Sequence, residues 1–133
     1  MNHASRDFKN MFSLAYGANP TTQTDNTAIT ATITKGGEEM VAFIFGLGGL
    51  ADADTALTLA IEDSDDNVTY AACSTSDYSG TLTGVDFADD NTIHVFSYWG
   101  KKKYVKLTAT PANNTGNLTS FIIKVAGNGR VQP

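Results

Sequence analysis

The chain has one cysteine, one tryptophan, two histidines and three prolines among 133 residues. With Cys73 alone, neither an intrachain disulfide nor a multi-cysteine metal site can form, so stability has to come from the core. Its neighbours Ala71, Ala72 and Ser74 supply no base that would lower a thiol pKa, which points to a small buried hydrophobe rather than a nucleophile. Uninterrupted apolar runs are short: Met40 to Phe45 has six residues, far from the roughly 18 of a membrane-crossing helix. The first thirty residues lack the basic start, apolar stretch and small-residue cleavage site of a secretory leader, so a soluble, unprocessed chain without a membrane partner is expected.

Charge is also scarce, at 17% of residues, and unevenly placed. A net charge of −5 argues against a nucleic-acid partner, whose binder is normally basic. Between Ala51 and Asp90 there are ten acids and no base, whereas from Asn91 to Pro133 there are six bases and no acid. Two readings fit this segregation: complementary charge towards a partner or a neighbouring copy, or strands and loops of one fold neutralising each other.

What is abundant is Gly, Thr, Asn, Asp and Ser, which favours strands and turns over a helical bundle. Ile29, Ala31 and Ile33 alternate with threonines, Leu57, Leu59 and Ile61 with Thr58, Ala60 and Glu62, and Val105, Leu107 and Ala109 with Tyr104, Lys106 and Thr108. Met40 to Phe45 is apolar on both faces and reads as a central strand ending at Gly46. Gly46 to Gly49 reads as a strand end and sharp turn, and Val68 to Tyr70 as the return of a hairpin around Ser64 to Asn67. Ile93, Val95, Ser97 and Trp99 share one face of a strand, with His94, Phe96 and Tyr98 on the other; Phe121, Ile123 and Val125 follow in a last strand. The expectation is an all-β antiparallel sandwich, jelly-roll or immunoglobulin-like, of about eight strands. Residues 1–23 read as an arm and first strand, 24–127 as the sandwich and 128–133 as a tail. In the arm, Phe8, Met11 and Phe12 fit a helical turn, while Phe12, Leu14 and Tyr16 fit a strand before a loop at Asn19 to Thr22.

Little in this pattern carries catalysis. Asp63, Asp65, Asp66 and Asn67 are hard oxygen ligands in one turn, but their spacing does not match a helix-flanked calcium loop. His3 and His94 lie too far apart in sequence, with too few soft ligands, to mark a zinc site. No G-x-S-x-G turn accompanies His94, and Gly46-Leu47-Gly48-Gly49 lacks the lysine of a phosphate cradle. The expectation is a non-enzymatic protein with no catalytic residue, metal or cofactor. The most distinctive segment is Tyr98-Trp99-Gly100-Lys101-Lys102-Lys103-Tyr104, which interleaves rings with three cations. It can serve as an interface with aromatic anchors and steering charge, as a sugar platform, or as a solvated hairpin turn with Trp99 in the core.

The strand ending at Gly46, the run Ala56 to Asp66, the acidic connection after it and the hairpin Tyr98 to Val105 together resemble small virion proteins of tailed bacteriophages. The resemblance spans about Glu38 to Thr110, with a weaker echo from Gly127 to Pro133; Lys103 stands where arginine is more usual. It implies a structural role, first a decoration or cement protein on the outer capsid surface, bridging and stabilising major capsid subunits. A head-completion or tail-associated component, or a virion-displayed carbohydrate-binding module, is the alternative. The partners implied are the major capsid protein and neighbouring copies in a dimer or trimer. The contact residues on this reading are Phe8, Met11 and Phe12 in the arm, Tyr98, Lys101, Lys102, Lys103 and Tyr104 in the hairpin, and Arg130 in the tail.

Overall fold

Alternation of threonine with aliphatic residues builds one sheet of the computed structural model, which describes residues 11–37 and 40–127. Strands β2 (Ile29–Thr34), β9 (Tyr104–Ala112) and β4 (Ala56–Ser64) pair antiparallel in that order, and the short strands β5 (Ala71–Ala72) and β7 (Val85–Asp86) both add to β4. Directly opposed residues share a face of an antiparallel sheet. The register therefore lays Ala31 and Ile61 on either side of Leu107, and Ile29 and Leu59 on either side of Ala109, all facing the core. The other face carries Thr30, Thr32, Thr58, Thr108, Lys106 and Glu62 and is polar.

The first sheet, so called because it holds β1, runs in the order β1 (Phe12–Gln23), β10 (Leu118–Gly127), β3 (Val41–Leu50), β8 (Ile93–Tyr98) and β6 (Tyr78–Ser79), again antiparallel throughout, and the sheet of β2, β9 and β4 is the second. Its inner face contributes Val41, Phe43, Phe45, Phe96, Tyr98, Leu118 and Ile122, every one without exposed surface. The two inner faces close an antiparallel β-sandwich, with β3 third of five in its sheet, as a strand apolar on both sides should be. Ten strands are present among the described residues, because the connection after β4 lays down β5, β6 and β7, two residues each.

Three local expectations are corrected. Asn19 to Thr22 is not a loop but part of β1, whose register shifts between Tyr16 and Ala18 and between Ala18 and Thr21. An edge strand with a bulge tolerates Pro20, which cannot donate to a ladder. Gly46 to Gly49 does not end β3, which continues to Leu50. Gly46 faces Phe121, and a Cβ there would lie 2.2 Å from the ring, so the glycine makes room for an aromatic laid across the strand rather than for a turn. Val68 to Tyr70 does not return as a strand: the Asp66 carboxylate accepts the N–H groups of Val68 and Thr69, both at 2.9 Å, and pairing resumes only at Ala71. That carboxylate makes a local alternative to ladder bonds, which competes well where the strand edge faces water.

Polar groups tie the loops at one end. Thr55 Oγ1 and Asn114 Oδ1 are 2.8 Å apart in the interior, and Asn114 donates through its N–H to Asn26 Oδ1 and through Nδ2 to the Asp25 carbonyl. Gly80, with φ +125°, admits no side chain: a Cβ would stand 2.8 Å from the Val95 carbonyl and 2.4 Å from the Phe96 ring. Gly80→Ala is expected to destabilise the fold by about 2 kcal/mol through backbone strain and overpacking. Urea unfolding measures it, and an unchanged midpoint would refute this account.

Candidate functional site

The segment from Tyr98 to Tyr104 is not the hairpin turn expected from the sequence: β8 and β9 belong to different sheets and do not pair, so it is a connection that crosses the sandwich, held from beneath by Tyr98. Its ring is buried, its hydroxyl donates to Asp63 Oδ2 at 2.8 Å across the sandwich, and the Tyr98 hydroxyl oxygen in turn accepts the Lys102 N–H at 3.3 Å. Burial pushes the phenol pKa well up, and the Asp63 carboxylate adds to the shift. Gly100 lets the turn fold over this hydroxyl, since a Cβ there would be 2.4 Å from it. The Lys35 ammonium donates to the Gly100 carbonyl and lies 5.2 Å from the Tyr98 ring centre. Tyr98 is therefore a buried strut, not the partner-contacting anchor expected of it, because strand parity turns Phe96 and Tyr98 inward together.

The same parity turns Trp99 outward. Trp99 is 45% exposed, which corrects the reading that places it in the core. Its indole is nevertheless fixed: Nε1–H donates to the Ser76 carbonyl at 2.8 Å, and its backbone N–H donates to the Asp77 carbonyl at 2.9 Å. On one side of it lies an open cleft of about 710 Å³ lined by Lys35, Lys101, Lys102, Lys103 and glycines. On another lies a cleft of mixed charge, lined by Asp63, Asp65 and Asp77 together with Lys101 and Lys102.

Charge across this end is partly internal. Lys102 Nζ meets Asp65 Oδ2 at 2.7 Å, and Lys106 Nζ approaches Glu62 Oε1 at 4.0 Å, so acids and bases neutralise each other along β4 and β9 and in the turns at their ends. Lys101 and Lys103 have no carboxylate at salt-bridge distance among the described residues; Lys103 Nζ sits 5.5 Å from the half-buried Tyr104 ring. Phe8 and Arg130 lie outside the described residues. Met11 is exposed and Phe12 opens β1, so the structure brings neither to the lysine-lined cleft.

A second surface was not named among the candidate residues, although its signal is in the sequence. β3 and the Phe121-Ile122-Ile123 run of β10 are apolar at successive positions, so only half of those side chains can enter the core. The register lays the other half in rows on the outer face of the first sheet: Leu14, Val125, Ala42 and Ser97; then Tyr16, Ile123, Ile44 and Val95; then Phe121, Gly46 and Ile93. No charged residue occurs in these rows. Leu14, Tyr16, Ile93 and Val95 are each more than half exposed. Tyr16 and Phe121 meet edge to face with ring centres 6.4 Å apart. Met40 and Trp99, one position beyond the last paired residues Val41 and Tyr98, extend the pattern towards the β8–β9 connection.

Cys73 is buried, and desolvation, with Asp63 nearby, pushes its thiol up to about 12. It is a packing residue, as its sequence surroundings suggest. No group of three or more His, Cys, Asp or Glu placed to hold a metal ion occurs among the described residues.

No protein-family model matches the chain, and no curated protein sequence matches it. Solved structures similar to it include the enzymatically active domain of tailspike protein 4 of bacteriophage CBA120, with 14% identity and a TM-score of 0.44 over 93% of this chain and 21% of that one. Another is the N-terminal CBM22-1–GH10 part of endo-1,4-β-D-xylanase 10B of Clostridium thermocellum, complexed with xylohexaose, with 11% identity and a TM-score of 0.42 over 93% of this chain and 27% of that one. The chain thus spans about a fifth and about a quarter of their lengths.

Two predictions follow from these hydrogen bonds. Tyr98→Phe removes a buried donor and leaves Asp63 without it, at an expected cost of about 1–2 kcal/mol; a denaturation midpoint equal to wild type would contradict the strut role. Asp52 and Asp66 accept backbone N–H groups of Asp54 and Thr115, and of Thr69 and Val68, which hold both carboxyls below their ordinary 3.8. A depressed folded-state pKa gives stability that is present above the unfolded value and lost as pH falls through the folded one. Asp52→Asn with Asp66→Asn should therefore flatten the fall of stability below about pH 4, leaving a smaller acid-limb slope in unfolding titrations.

Proposed function

We propose that this chain is a non-enzymatic structural protein of a tailed-bacteriophage particle, a decoration or cement protein on the outer capsid surface. The observation that carries this reading is the uncharged apolar outer face of the first sheet. Water leaves such a surface uncompensated, and single soluble domains rarely expose so much of one. A protein built to be covered by other protein fits it better than a freely diffusing enzyme does. The likeness carried by Tyr98 to Val105 supplies the virion context, and Lys101 and Lys103, which meet no carboxylate at salt-bridge distance among the described residues, supply charge for an acidic patch on the major capsid protein. Many copies bound in parallel then stabilise a shell even where each contact is weak.

Cosedimentation with heads before and after expansion, and with tails, tests this reading. Saturable binding in many copies to expanded heads is the expected outcome. A few copies at one vertex, or binding to tails alone, would replace it with a head-completion or tail role, and binding to none would end it. Lys101→Glu with Lys103→Glu leaves the Lys102–Asp65 pair in place and should weaken binding about tenfold, with added salt doing the same to wild type.

A second reading is supported by Trp99, whose fixed and half-exposed indole between a lysine-lined cleft and one of mixed charge suits a virion-displayed carbohydrate-binding module. As the chain's one tryptophan, it reports directly. Saturable fluorescence change on adding a soluble polysaccharide, lost in Trp99→Ala, would favour this reading, and a flat response across neutral and acidic polysaccharides would remove it.

A further inference from the structure

The apolar outer face calls for an occupant, and we infer that it is the same face of a second copy, packed sheet on sheet about a two-fold axis. The inference rests on the reading of this chain as an assembly component and names what meets this surface.

Size is the first argument. Leu14, Tyr16, Met40, Ile93, Val95 and Trp99 lie on this face or at its end beside the β8–β9 connection, each between 41% and 66% exposed, and Ile44, Phe121 and Ile123 are half-buried between them. Taking roughly half of the area that such large side chains can bury, the apolar centre is on the order of 600 Å². With a polar rim it reaches the roughly 800 Å² that each partner contributes to a stable interface.

Charge is the second argument. A two-fold contact places residues beside or near their own symmetry mates, so any charge at its centre meets its like. The rows on this face hold none, whereas the outer face of the second sheet carries Glu62 and Lys106 and ends in the acidic turn at Asp65 and Asp66. For a chain of net charge −5, pairing through the first sheet keeps the acidic surfaces of both copies pointing apart, while pairing through the second would press them together.

The chain's own first ten residues are a poor cover. Met1, Ala4 and Phe8 are their apolar side chains, against the nine large ones named above, and His3, Arg6, Asp7 and Lys9 would be desolvated on an uncharged face. A flat sheet is also the natural complement of a flat sheet, at the usual spacing of about 10 Å.

Sedimentation equilibrium of the full chain, from low micromolar to several hundred micromolar, tests the inference. Twice the chain mass at the upper end is expected, accompanied by a blue shift of Trp99 emission as it moves into the contact. Ile93→Lys with Val95→Lys should raise the dimer dissociation constant at least ~100-fold. Leu14→Lys with Tyr16→Lys, on the opposite edge of the same face, provides an independent variant, and far-ultraviolet circular dichroism shows that each remains folded. Wild type that stays monomeric throughout, or a dimer that folded variants at both edges leave intact, would overturn the inference. A monomer that still binds heads would sink the self-pairing and spare the proposed function; a dimer that binds neither heads nor tails would do the reverse.

Discussion

Antiparallel register is the constraint on which the rest of this structure depends. Because directly opposed residues share a side, pairing β10 against both β1 and β3 commits every side chain on three long strands at once. Phe43, Phe45, Ile122 and Leu118 go into the core, and Ile44, Ile123, Phe121 and Tyr16 go out. A slip of one residue in β10 would exchange Ile122 for Phe121 and Ile123 and break the core. The exposed apolar face is thus the necessary other side of a well-specified core.

The two sheets treat water differently for the same reason. In the second sheet threonines hold the outer face, where branched side chains keep strand conformation while their hydroxyls meet solvent or each other, as Thr30 and Thr108 do at 3.2 Å. In the first sheet those positions are Val, Ile, Leu, Phe and Tyr. The sandwich needs only one apolar side of each sheet, so stability of the isolated chain does not account for the second apolar side. The proposed covering by another subunit would account for it.

Tyr98 and Trp99 show how adjacent rings take opposite parts. Tyr98 anchors the β8–β9 connection from within through Asp63, across the gap between sheets, and Trp99 is pinned by Ser76 and Asp77 at the rim. Rigid support beneath and a fixed ring outside give the lysine-lined cleft a defined shape. Acid–base neutralisation along β4 and β9 and in the turns at their ends consumes part of the segregated charge, and Lys101 and Lys103 meet no carboxylate at salt-bridge distance among the described residues.

Alternation of apolar with polar residues determined most of the fold from the sequence alone: the all-β class, the sandwich, the central place of Met40 to Phe45, the opposite faces of Tyr98 and Trp99, and the inert Cys73. Such local patterns survive because a strand's two sides follow directly from its pleat. Tertiary structure alone decided which side is inside where a strand is apolar on both faces, as in β3 and the Phe121 to Ile123 run of β10. Tyr98 became a strut and Trp99 a surface group; Gly46 became a seat for Phe121 rather than a turn; Asn19 to Thr22 joined an edge strand; and scattered aliphatics from β1, β10, β3 and β8 merged into one uncharged face. Each of these depends on a partner far away in the chain, and strand periodicity carries no information about which distant strand lies alongside or in what register.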